Sequence, residues 1–232
     1  MDDVVMRKRQ QQVLHDKKWR KFLRKSRLFG YVPFVDFVLG AGSMALGTVR
    51  LDSDFDVIVA VRQGRMFTAR FFAYVMFGIL GWRRAKMNHD ESASDKICFN
   101  HFVTPSSYRL SPPHQAYWQK LYQNLVPVFG PADLIASFFE ANRDWMGMMG
   151  NYTDDLRHKY QNSSTFKNAV EFLLEGFFGN QTEKILRAIQ INKIKRSLAL
   201  DRLGYKPRIK YTDEELEFHP DTKRIENYEL PV

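Results

Sequence analysis

The sequence predicts an α+β protein: a small mixed sheet with flanking helices, followed by a helical domain. Three observations carry this. Short β-branched and aromatic runs alternate with helix-patterned segments over residues 1–110. Beyond "SPPH" (111–114), apolar residues recur at three- and four-residue spacing. A chain of 232 residues with 44% hydrophobic and 14% aromatic content can also bury a sizeable core.

The elements follow in order. Residues 1–25 are polar and helix-prone, with Val13, Leu14, Trp19, Phe22 and Leu23 as an apolar stripe. Pro33 punctuates, and "FVDFVL" (34–39) alternates as a strand does. "GAGSMALG" reads as a turn opening a short helix, and "FDVIVAV" (55–61) as a central strand. Residues 66–80 form an apolar helix, "NHDESASD" (88–95) a loop, and "KICFNHFV" (96–103) a third strand with Asn100 and His101 on opposite faces. Pro112 and Pro113 resist either regular element and mark the domain boundary. A helical domain over 111–210 is expected next, with helices at 117–125, 132–145, 162–178 and 181–203; "PVFGP" separates the first two. Residues 162–165 supply candidate N-caps and Gly204 a stop. Residues 211–232 read as a loosely held acidic tail.

Composition bounds the function. One cysteine, Cys98, cannot form an intramolecular disulfide, and the scattered histidines show no zinc spacing. A reducing, cytoplasmic setting is expected. The first 25 residues carry nine Lys/Arg without an apolar segment, so they do not read as a secretory signal, and Asp2, Asp3 and Asp16 argue against an organellar presequence. "FFAYVMFGILGW" (71–82) is shorter than the roughly twenty residues of a membrane span. Net charge is +9, yet residues from 211 onward hold seven Asp/Glu against two Lys/Arg. The remaining body is strongly basic and suits polyanions such as nucleotides or RNA, or simply a solvated surface.

"GSMALGTVRLDSDFDVIVA" (42–60) carries the chemistry. On a strand, Asp54 and Asp56 emerge side by side on one face. Two such carboxylates repel, and a divalent cation offsets that cost; Mg²⁺ takes carboxylate and phosphate oxygens. Gly42-Ser43 falls where backbone N–H groups at a helix start can meet a phosphate; Ser43 could equally be an N-cap.

The stretch "VLGAGSMALGTVRLDSDFDVIV" resembles the DNA polymerase beta-like nucleotidyltransferase superfamily: an apolar strand, Gly-Ser, a short helix, then an Asp-x-Asp strand. "GRMFTAR" (64–70) looks like an uncharacterised bacterial subgroup of it. The resemblance spans about residues 34–103 and implies a nucleotidyltransferase-like domain over 1–110. It further implies that Asp54 and Asp56 hold Mg²⁺ (or Mn²⁺), that Gly42 and Ser43 grip the triphosphate of an NTP, and that an acceptor hydroxyl attacks the α-phosphorus. Such sites use two metal ions. The acceptor is a small molecule, a protein or RNA. The family's third carboxylate stands on a later strand, where this chain has Asn100, a neutral metal ligand through its carbonyl oxygen. Asp95, at that strand's start, is the alternative catalytic carboxylate. Arg70 and Lys184 are candidate phosphate contacts, set against structural and solvated roles.

Two further readings stand beside this one. The first is a catalytically weakened nucleotide- or RNA-binding module of the antitoxin type, favoured by Asn100. The second is a membrane-surface scaffold, which requires the 71–82 helix to be exposed and the basic cluster at 7–25 to face lipid or RNA.

Overall fold

The computed structural model describes residues 2–84, 93–112, 114–147, 163–198 and 208–219. The expected loop at 88–92, Pro113, the helix start at Asn162, the stop at Gly204 and the tail from 220 lie outside these residues. Helix α1 (Asp2–Ser26) buries His15, Trp19, Phe22 and Ser26, one face at helical spacing. Strand β1 (Val35–Gly40) leads into the one-turn helix α2 (Gly42–Leu46), and β2 (Phe55–Val61) follows. Helix α3 (Met66–Ile79) crosses to β3 (Ile97–Val103). Then come α4 (Ala116–Gln123), β4 (Val126–Phe129), α5 (Ala132–Glu140), α6 (Arg143–Met146), α7 (Thr165–Leu173), α8 (Gly176–Leu198), β5 (Arg208–Tyr211) and β6 (Glu215–His219).

The protein is α+β, with a six-stranded mixed sheet in the order β4-β1-β2-β3-β6-β5. Only β2 and β3 run parallel, as the α3 crossover requires; the other neighbours are antiparallel. Each sheet face has its own core. On one face Val57, Val59 and Phe102 meet Trp19 and Phe22 of α1, Phe67 and Phe77 of α3 and Ile194 of α8. On the other, Phe37, Leu39, Ile58 and Ala60 meet Trp118 of α4, Phe138 of α5 and Met146 of α6.

Four expectations are corrected. The "PVFGP" separator contains strand β4, which pairs with β1. Its Pro127 is tolerated because β4 is an edge strand. The helix expected over 132–145 is two, α5 and α6. The segment after residue 111 is not separate from the sheet, since α4–α6 cover one face of it and β4–β6 extend it. Residues 215–219 of the expected loose tail form β6, with Glu215 and Glu217 buried because Lys210, Arg208 and His101 compensate their charge. Ser164, one of the expected caps, accepts a 3.1 Å hydrogen bond from Lys167 N at the start of α7.

Helix α3 buries Met66, Phe67, Ala69, Ala73 and Phe77 against the core, while Phe71, Val75 and Ile79 on its other side, and Leu80 just after it, are exposed. Among the described residues no helix is long and apolar enough to cross a membrane.

Candidate functional site

Asp54 immediately precedes β2, and Asp56 is its second residue. In the sheet Asp56 pairs with Cys98 of β3 and lies next to Gly40–Ala41 at the end of β1, where Ala41 N donates to Asp56 O at 3.0 Å. Ligand atoms of Asp54, Asp56 and Cys98 lie within 4.8 Å of one another. Asn100 completes the group, its Nδ2 donating to Asp56 Oδ1 at 3.1 Å. Arg84 Nη1 stands 2.7 Å from Asp54 Oδ2 and supplies a positive charge.

Gly42 sets how closely the α2 backbone approaches. Its φ is +60°, and a Cβ added there would lie 2.0 Å from Asp56 Oδ2. A side chain would therefore fill the space in front of the carboxylate. Ser43 is the second residue of α2, and Ala41, not Ser43, is the N-cap. The capping alternative for Ser43 is thus removed.

Electrostatics define what the site wants. Burial, reinforced by the charge of Asp54, pushes the Asp56 carboxyl up to about 7, against the pull of Arg84 and the hydrogen bonds from Cys98 and Asn100. Burial and both carboxylates push the Cys98 thiol well above its ordinary range. Ionising both carboxylates at once is thus disfavoured with one guanidinium in reach, and a hard divalent cation that displaces the Asp56 proton would hold the two together. Cys98 sulfur is a poor Mg²⁺ ligand, and Asn100 turns its donor end, not its carbonyl, toward Asp56.

Asp95 goes elsewhere. Its carboxylate pairs with Lys18, at 3.0 Å, and with Lys21, and its carbonyl accepts from Lys25 Nζ at 2.5 Å. Its oxygens are not among those converging on Asp56. It braces the loop before β3 against α1, with its backbone N bonded to Ser53 O at 3.1 Å. The same contacts internalise part of the basic α1 cluster, since Lys18 also donates to Leu51 O and Ser53 O (2.8 and 2.7 Å).

Arg70 and Lys184 are not brought to the carboxylates. Arg70 is buried, donates to Gln190 Oε1 (2.6 Å) and Tyr74 Oη (2.9 Å), and stacks its guanidinium 4.2 Å from the Tyr74 ring centre. It fastens α3 to α8. Lys184 is exposed. Its neighbour Glu183 accepts from Phe67 N and Thr68 N (both 2.8 Å) at the start of α3, beyond the opposite end of β2 from Asp56.

His101 differs from the expected alternation. A step of two residues in β2, from Asp56 to Ile58, opposes a step of three in β3, from Cys98 to His101. This bulge puts His101 beside Ile58 and so on the sheet face that Asp56 occupies. Sequence reasoning missed Arg84, Cys98 and the bulge. Only Cys98 carried a signal, being two residues before Asn100 on a predicted strand.

Comparison of the chain with protein-family models, curated proteins and solved structures returns no match.

Proposed function

We propose that the chain is a Mg²⁺-dependent nucleotidyltransferase that moves a nucleoside monophosphate from an NTP to a hydroxyl acceptor. The observation carrying this reading is the juxtaposition of Asp54 and Asp56 with the glycine-floored start of α2. Asp54 and Asp56 would hold the cation, which supplies charge neutralisation at the triphosphate. The Gly42 backbone, packed against Asp56, would border a phosphate held there, with the Ser43 backbone and hydroxyl as its further contacts. The acceptor oxygen bonds to the α-phosphorus, the α–β bridging bond breaks, pyrophosphate departs, and the acceptor proton passes to solvent. The free buried thiol Cys98 accords with a cytoplasmic location.

One arrangement favours a second reading, a nucleotide- or RNA-binding module without transfer. Asn100 occupies the position where a third carboxylate would act, and Arg84 already partners Asp54. The acceptor class, whether small molecule, protein or RNA, lies outside the motif. Metal-dependent NTP binding tests the site, and pyrophosphate release on adding acceptors separates the two readings.

A further inference from the structure

A second donor cluster lies on the same sheet face, reached by the β3 bulge. His101 of β3 sits directly opposite Glu217 of β6, and His219 follows two residues later on the same face of β6. One ligand atom from each of His101, Glu217 and His219 lies within 4.8 Å of the others. The Glu217 side chain is completely buried, and neither of its carboxylate oxygens has a hydrogen-bond partner among the described residues. His219 Nε2 is likewise buried without one, and stands 3.4 Å from Glu217 Oε1. Arg208 Nε approaches Glu217 Oε1 to 2.8 Å, but without the alignment of a hydrogen bond.

We propose that His101, Glu217 and His219 bind a zinc-class divalent cation, which pins the β5–β6 hairpin to β3. Two imidazoles and one carboxylate form a donor set for Zn²⁺, Co²⁺ or Fe²⁺ and a poor one for Mg²⁺. An aqueous loop would dilute such a set; here the strands hold it in register and its carboxylate is stripped of water. Glu215 lies 3.1 Å from His101 Nε2, the carboxylate–histidine contact that orients a metal-binding ring.

Two cations face the cluster and both have other anchors. Lys210 is 3.1 Å from Glu215 and 3.9 Å from Glu217. Arg208 also donates to Ser111 O at 2.9 Å and stacks 5.1 Å from the Trp118 ring centre. They can therefore remain in place when Glu217 turns to a metal.

The test uses the full chain in an Asp54→Asn/Asp56→Asn background, which removes the first site, stripped with chelator. Zn²⁺ and Co²⁺ are titrated by calorimetry, Co²⁺ also by its visible absorption. The expected result is a bound cation and a raised melting temperature, both lost in His219→Asn and Glu217→Gln, with Glu215→Gln weakening binding about 10–100-fold. No binding by the folded background protein overturns the proposal, as does binding that survives both ligand substitutions. If those variants fail to fold, His101 and His219 ring resonances decide on the background protein: Zn²⁺ must shift them, and unmoved signals overturn the site.

Discussion

Asp56 joins local geometry to a pH dependence. Its folded-state carboxyl titrates at about 7, against an ordinary value of 3.8. The folded apoprotein therefore holds this proton more tightly than the unfolded chain. The resulting stability is complete below the unfolded value and is lost as pH rises through about 7. Asp36, raised to about 6 chiefly by burial, acts in the same direction. A cation at Asp54 and Asp56 must displace the Asp56 proton. Mn²⁺ affinity is thus expected to climb by about tenfold per pH unit below neutrality and level off above it. Calorimetric titration across that window checks this, and a flat profile contradicts it. Gly42→Ala places a methyl in front of the Asp56 carboxylate at a left-handed backbone position. A loss of about 1–3 kcal/mol is expected, with weakened cation binding. An unchanged denaturant midpoint and unchanged cation affinity would show that the close approach is unimportant.

At the scale of elements, Asn142 holds the α5–α6 junction to the segment after β3. Completely buried, it accepts from Leu110 N (2.9 Å) and Trp145 Nε1 (3.0 Å) and donates to Tyr108 O and Phe138 O (2.6 and 2.8 Å). Asn142→Ala orphans all four groups and is expected to lower stability by about 1–3 kcal/mol in a denaturant melt. Apolar periodicity across 132–145 concealed this break, because it reports which side faces the core and not where a side chain replaces the backbone ladder. Strands β1, β2 and β3 were legible for the opposite reason: their runs are long, apolar and β-branched. Strands β5 and β6 were not. Charge in "RIKY" and "ELEFH" reads as solvated until Arg208, Lys210 and His101 are seen to pair with Glu215 and Glu217. The β3 bulge had no local signature, so strict alternation sent His101 to the wrong face. The closeness of Asp54 and Asp56 was legible from their two-residue spacing, although Asp54 stands just before β2 and not in it.

Across the whole molecule, α1, α3 and α8 back one sheet face, while α4–α6 pack on the face that carries Asp56 and His101. The basic charge is distributed with the same economy. Lys18 and Lys25 of α1 are buried and hold the Leu51–Ser53 and Asp95 carbonyls, so net charge overstates what a polyanion meets. What remains specific is the carboxylate pair facing the start of α2. The most direct test is calorimetric titration of each of the four NTPs into the full chain, with Mg²⁺ and with EDTA, beside Asp54→Asn/Asp56→Asn. Binding of at least one NTP that needs Mg²⁺ and disappears in the double variant is the expected result. Folded protein that binds no NTP, or binds equally well in EDTA and in the variant, contradicts a nucleotide site at Asp54 and Asp56.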